Sequence, residues 1–260
     1  MLRTGALGGT IRRVAELLAR GRVIRRHLPE EFGRAPLYVS PDARLAFWRR
    51  DIARVDRSLL RSAQDLVHPG DVVWDVGANV GLFTFAAAAR AGATGRVLAI
   101  EADQWLVSLL RRSACCQPAS SAAVTVLSAA VSDRVGVAEF CIAKRGRCSN
   151  YLRGLGSQTG GERERQWVIT VTLDWLLGWF PAPAVLKIDI EGAEVLALRG
   201  GERVLGEARP RLLLEVYDEN ADEVGAMLRG YGYRLFDAEV RREDRTPLSR
   251  PAYNTLALPG

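Results

Sequence analysis

The sequence has 260 residues, 48% of them hydrophobic and 25% charged, an ordinary globular composition with enough apolar material for one large core. No uncharged apolar run of about 18 residues occurs, which argues against a membrane-spanning helix, and arginines interrupt every apolar stretch near the start, so no secretory signal is legible. The net charge of +6 is unevenly spread: residues 1–60 carry 13 Arg against 6 Asp and Glu, and the remainder carries 23 basic against 24 acidic residues.

Residues 1–60 therefore read as a basic, mainly helical N-terminal segment, punctuated by Pro29, Pro36 and Pro41, ahead of a unit over 61–260. Ile11, Val14, Leu17, Leu18 and Ile24 recur at roughly helical spacing, which predicts one face packed on the body. The surplus charge suits an acidic partner such as nucleic acid or anionic lipid, or simply a solvated helix.

From His68 the pattern changes. Asp71 to Val76 (DVVWDV) is a short apolar run ending at Gly77, Val80 to Arg90 is an alanine-rich helix, and Arg96 to Glu101 (RVLAIE) is a second strand. Strand, glycine turn, helix, strand is a βαβ unit with parallel strands. Further helices are expected over 105–116, 193–205 and 221–229, and strands over 124–131, 184–190 and 211–216, with 233–238 and 253–258 closing the sheet as an antiparallel pair. Extra strands over 135–143 and 166–173 bracket a glycine-rich stretch, 146–161, the best candidate for a mobile loop. Near-continuous apolar strands imply a sheet covered on both faces: a doubly wound α/β fold with a mostly parallel seven-stranded sheet and a helical N-terminal extension.

In such sheets ligands bind beyond the carboxyl ends of the strands. Those ends carry Asp75, Glu101, Ser132 with Asp133, Asp189 with Glu191, and Glu215. The first turn, Asp75-Val-Gly77-Ala78-Asn79-Val-Gly81, has the spacing G-x-N-x-G and lacks the dinucleotide fingerprint G-x-G-x-x-G. A carboxylate at Asp75 would repel a pyrophosphate but can hold a cationic amino group. Together these favour S-adenosylmethionine, which has an ammonium, a sulfonium and no phosphate, over a nicotinamide dinucleotide. Glu101, twenty positions after Gly81, can accept hydrogen bonds from both ribose hydroxyls.

DVGANVGLFTFAAA, IEAD, SAAVSDRVG, VTLDWLL, VLKIDIEGAEVLALRG, RPRLLLEV and NTLALP occur in the order seen in the FkbM-like S-adenosylmethionine-dependent methyltransferases, and the sequence resembles that family over roughly residues 65–258. The resemblance implies a class I methyltransferase with Asp75, Gly77, Ala78, Asn79 and Gly81 along the methionine part of the cofactor. It places Glu101 and Ala102 at the ribose, and Ser132 and Asp133 near adenine. It implies an O-methyltransferase acting on a hydroxyl of a sugar or small secondary-metabolite-type acceptor. Ala102 stands where many relatives have proline, and the stretch from Arg145 to Arg165 is an unusual insert.

Strand alternation puts Lys187, Asp189 and Glu191 on one side, beside the expected methyl position. His27 and His68, the chain's two histidines, lie away from the strand ends. Asp189 or Glu191 is therefore the candidate for orienting the acceptor or removing its proton, with Trp175 and Trp179 as neighbours that would raise a carboxylate pKa by burial. Glu191 has the alternative of capping the helix that follows Gly192. No metal site is assigned, although Asp189, Glu191 and Glu215 offer oxygen ligands of the kind magnesium takes. Cys115, Cys116, Cys141 and Cys148 form neither a C-x-x-C pair nor a Cys/His cluster, which argues against zinc and fits reduced thiols in a cytoplasmic protein. The basic segment keeps nucleic-acid methylation as the second reading, against which stand a near-neutral body and the absence of an N/D-P-P-Y/F/W motif.

Overall fold

The structure, a computed structural model, describes residues 14–155 and 161–260. Residues 14–19 are helical, but the expected helical segment then gives way to a β-hairpin, β1 (Ile24–His27) and β2 (Pro36–Val39), followed by two 3-10 turns. The expected apolar helix face is not built. Val14, Leu17 and Leu18 are exposed, and Ile11 lies outside the described residues. The hairpin does the packing instead: Leu37 and Val39 alternate inward along β2 and join one cluster with Leu28, Phe32, Phe47 and Ile52.

Helix α1 (Arg57–Leu66) leads to the sheet core: β3 (Val72–Val76), α2 (Leu82–Ala91), β4 (Arg96–Glu101), α3 (Gln104–Ala114) and β5 (Ala123–Ser128). After a second small sheet come β10 (Val185–Ile188), α5 (Glu194–Arg199), β11 (Arg211–Glu215), α6 (Ala221–Gly230), β12 (Tyr233–Asp237) and β13 (Asn254–Pro259). The seven strands lie in the order β12-β13-β11-β10-β3-β4-β5. The sheet is mixed: β11, β10, β3, β4 and β5 run parallel, and β13 runs antiparallel to both its neighbours.

Alternation along the strands feeds two cores. Val73, Val185 and Leu213 face the side that holds the hairpin, α2 and α3, while Trp74, Val76, Leu186, Ile188, Leu212 and Leu214 face α5 and α6. The alanines of α2 follow from its position: it is buried almost all round, between the sheet and α1, and small side chains allow that approach. The hairpin is fastened to α3 by Tyr38 N–H donating to Ser113 Oγ at 2.8 Å and Gln117 Nε2 donating to the Pro36 carbonyl at 2.7 Å. Residues 24–55 thus belong to the same core as the sheet.

The single strand expected over 124–131 is broken at Ala129. β5 stays in the main sheet, and β6 (Ala130–Val131) opens a four-stranded sheet with β7 (Gly136–Ala143), β8 (Tyr151–Leu152) and β9 (Glu162–Val171), in the order β6-β9-β7-β8. Its inward residues Phe140, Ile142, Leu152 and Val168 pack on Ala102, Ala130 and Ala193. This brings part of the insert against the ends of the main strands. The glycine-rich stretch includes β8 and the ordered turn at Arg147–Ser149, while its residues 156–160 lie outside the described residues. α4 (Leu173–Leu176) returns the chain to β10.

Candidate active site

The chain runs outward from β3 to β4 and β5 on one side, and β10 and β11 lie on the other, so a crevice opens between the carboxyl ends of β3 and β10. A cavity of about 720 Å³ fills it, within the range of small-molecule sites. Gly77, Ala78, Asn79, Glu101, Ala102, Lys187, Asp189 and Glu191 line it, together with Glu215, Tyr217 and Tyr253.

The glycine turn is closed upon itself. Gly77 and Ala78 N–H donate to the Ile100 carbonyl (2.9 and 3.0 Å), Val80 N–H to Asn79 Oδ1 (2.8 Å) and Gly81 N–H to the Ala78 carbonyl (2.8 Å). Asn79 N–H donates to Glu101 Oε2 at 2.7 Å. No amide of this turn is left to cradle a phosphate, the role such turns play in dinucleotide sites. Gly77 is required twice over: its φ is +75°, and a Cβ there would stand 1.8 Å from the Asp189 carbonyl oxygen. Gly81, at φ +90°, begins α2, and a Cβ there would meet Phe85 and Leu110 rather than a ligand.

The expected amine contact at Asp75 is not what the structure shows. Asp75 is fully buried beneath the turn, its Oδ1 accepting from Lys187 Nζ at 3.0 Å and its Oδ2 from Thr84 Oγ1 at 2.6 Å. With its charge matched by Lys187, it cannot be the group that turns a pyrophosphate away; the spent amides do that. Lys187 also donates to the Gly77 carbonyl at 3.0 Å and pairs with Asp189 Oδ2 at 3.4 Å. Burial by itself would depress its pKa, but the carboxylates of Asp75 and Asp189 reverse this and hold the ammonium above its ordinary value. Its three protons are all engaged, by Asp75, the Gly77 carbonyl and Asp189.

Glu101 is 7% exposed, and burial lifts its pKa to about 7 against the opposing hydrogen bonds from Asp103 and Asn79 N–H. Each of its oxygens takes one backbone N–H, Asp103 to Oε1 and Asn79 to Oε2, and each keeps a lone pair for a ligand hydroxyl. Ser132 and Asp133 do not line the cavity. Ser132 is buried with its Oγ 3.2 Å from Asp133 Oδ1, and Asp133 is exposed, because the break at Ala129 turns the chain into the second sheet before it reaches them. Ala129, Ala130, Phe140 and Leu152 supply the wall beside Ala102 instead.

At the other end three carboxylates converge. Asp189, Glu191 and Glu215 each place an oxygen within 4.8 Å of the others, and among the described residues this is the group able to hold a cation. Its all-oxygen donor set suits a hard ion, although Tyr217 already donates to Glu191 and Tyr253 to Glu215. Burial, with the charges of Asp189 and Glu215, raises Glu191 to about 8 despite its bond from Tyr217. Burial and Asp189 raise Glu215 to about 7. Glu191 does not cap the next helix; Glu194 accepts from Gly192 N–H at 2.9 Å, and Glu191 sits at φ +53° facing the cavity. Trp175 and Trp179 are exposed, in tilted contact with each other at 5.7 Å between ring centroids and absent from the cavity wall, so the burial that shifts Glu191 has other sources.

Tyr217 and Tyr253, edge-to-face at 5.8 Å, were not singled out from the sequence. Tyr217 lies two positions beyond Glu215, so alternation past the end of β11 was the available signal. Tyr253 opens the antiparallel strand expected over 253–258, but its meeting with Glu215 depends on β13 pairing with β11, for which there was no local signal.

Residues 75–235 match the family model of the methyltransferase FkbM domain. The chain belongs to the FkbM methyltransferase family. An FkbM protein is an enzyme that transfers a methyl group from S-adenosylmethionine, and the cavity fits that donor: acceptors for hydroxyls at Glu101, no phosphate cradle, and an apolar wall for a base. No curated protein matches. Among solved structures, the chain is similar to an FkbM methyltransferase from Methylobacillus flagellatus, at 18% identity and a TM-score of 0.46 over 76% of this chain and 50% of that one. It is also similar to precorrin-6y C5,15-methyltransferase from Geobacter metallireducens (14%, TM-score 0.44, 78% and 84%). A third is fibrillarin from Aeropyrum pernix, solved with natively bound S-adenosyl-L-methionine (12%, TM-score 0.45, 92% and 84%). The chain thus spans about half the length of the Methylobacillus protein.

Proposed function

We propose that the protein is an O-methyltransferase acting on a hydroxyl of a sugar or small secondary-metabolite-type acceptor. The observation that carries this reading is the convergence of Asp189, Glu191 and Glu215 with two tyrosines in one cavity with the closed glycine turn. Gly77, Ala78 and Asn79 lie along the amino-acid part of the cofactor. Glu101 accepts from the ribose, and Ala102, Ala130, Phe140 and Leu152 enclose the base. S-Adenosylmethionine, when bound, supplies an electrophilic methyl group.

The chain's own residues then have two tasks, alignment and proton removal. Asp189, fixed by Lys187, accepts a hydrogen bond from the acceptor and orients it. Glu191 takes the proton as the acceptor oxygen forms its bond to the methyl carbon and the carbon–sulfur bond breaks, leaving S-adenosylhomocysteine. A pKa of about 8 makes the carboxylate basic enough to accept the proton, and its ionised, active fraction grows as pH rises from neutral toward 8. The neutral polar surroundings of Tyr217, Tyr253 and Asn254 fit a polyhydroxylated acceptor.

The test is incubation of the full-length protein with methyl-labelled S-adenosylmethionine and a panel of sugar and polyketide-type alcohols, alongside amines and RNA. Label in an alkali-stable ether supports the reading. Label confined to nitrogen or to RNA overturns it.

A further inference from the structure

Five charged or amide side chains from three separated segments meet outside the transfer end of the cavity. Arg147, in the turn before β8, donates to Asp103 Oδ2 at 2.5 Å and through Nε to Asp42 Oδ2 at 3.1 Å. Arg163, on β9, grips both oxygens of Asp42 at 3.0 and 2.9 Å. Asn150 donates to Asp103 Oδ2 at 2.9 Å. The insert's backbone docks at the same place, Arg147 and Cys148 N–H donating to the carbonyls of Asp42 and Ala43 at 3.0 and 3.1 Å.

Asp103 stands at the centre and is fully buried. Its Oδ1 caps α3 by accepting from Trp105 and Leu106 N–H at 2.9 and 3.4 Å. Its own N–H donates to Glu101 Oε1 at 2.9 Å. The Arg147 guanidinium lies 4.7 Å over the Trp105 ring and forms part of the cavity wall with Asn150. One carboxylate therefore joins the helix cap, the ribose-facing glutamate and the insert, and Arg147 supplies its counter-charge.

We propose that Arg147 is a positioning residue for the nucleoside of the cofactor. Acting through Asp103, it holds Glu101 in its accepting orientation and locks the wall of Phe140, Asn150 and Leu152 beside Ala102. The proposal rests on the reading of this cavity as the S-adenosylmethionine site. Without the guanidinium, Asp103 is left as a buried carboxylate with no cation. The loss of that partner disturbs its bond from Asn150 and its link to the Glu101 loop.

Calorimetric titration of the full-length protein with S-adenosylhomocysteine and with 5′-methylthioadenosine, which lacks the amino-acid end, tests this. Arg147→Ala is expected to weaken both ligands by the same factor, about tenfold for a coupling through one buried network. Arg147→Lys, which restores the charge, is expected to recover most of the loss. If Arg147→Ala does not fold, Arg147→Gln keeps an amide donor toward Asp103 without the charge and is expected to weaken both ligands by one shared, smaller factor. A folded variant with a lower melting temperature but unchanged affinities overturns the proposal, since Arg147 then serves the fold alone. Weakening of S-adenosylhomocysteine only also overturns it, because the loss would lie at the amino-acid end. Wild-type protein that binds neither ligand refutes the cofactor reading itself, and this inference with it.

Discussion

At the turn after β3 every backbone N–H from Gly77 to Gly81 has an acceptor, and the buried Asp75 has both a lysine and a threonine. Across the same cavity, Asp189, Glu191 and Glu215 face one another with a single shared lysine and two phenols between them. The first region is a frame whose polar groups satisfy one another before any ligand arrives. The second keeps carboxylates whose ionisation is resisted by burial and by one another. A site that binds one constant cofactor and acts on a separate acceptor divides naturally in this way: rigid where recognition never changes, and chemically poised where protons move.

The contrast can be broken most forcefully where the two regions touch. Gly77→Ala drives a Cβ into the Asp189 carbonyl and forces an alanine to a positive φ. A loss of about 4 kcal/mol or more is expected, read as a collapse of the denaturation midpoint. Lys187→Met leaves Asp75 buried without its cation and is expected to cost about 3–5 kcal/mol. Adding Asp75→Asn in that background should return part of the stability.

Glu191→Gln acts on the poised side alone. Turnover should fall about 10²–10³-fold while calorimetric affinity for the cofactor stays within about twofold. In the parent enzyme the rate should climb with pH as Glu191 loses its proton, levelling above about 8, and the variant should lack that rise. Stability runs the opposite way. A carboxyl raised on folding from 4.5 to about 8 contributes fully below about 4.5, and that contribution is lost progressively as pH climbs from there to the folded value. The variant should therefore melt higher than the parent at pH 9 and match it at pH 5. The smallest effect is expected from Trp175→Ala, within about 0.5 kcal/mol and with an unchanged pH profile, because that ring is 41% exposed and away from the cavity.

The frame was largely legible in the sequence because its information is local. The G-x-N-x-G spacing, the acid at Glu101 and the alternation through Lys187 and Asp189 each lie within one strand-turn-helix unit. The pairing of Asp75 with Lys187 was not legible, because the two lie 112 positions apart on neighbouring strands. The hairpin at residues 24–39 was missed because proline and arginine spacing carry weak strand signals, whereas the packing of Leu37 and Val39 on α3 is decided by tertiary contact. Tyr253 and Phe140 reach the cavity through strand pairings between distant segments, which no local window contains.

The second sheet departs from the main fold and re-enters it at neighbouring points. Ala130 pairs with Thr170, and Ser132 N–H donates to the Val171 carbonyl at 2.9 Å. Such a doorway lets the intervening polypeptide lengthen, shorten or be swapped wholesale without re-threading the seven strands behind it. Evolution, or a protein engineer, can therefore recut this wall as one exchangeable cassette, provided that it brings its own equivalent of the Arg147 fastening.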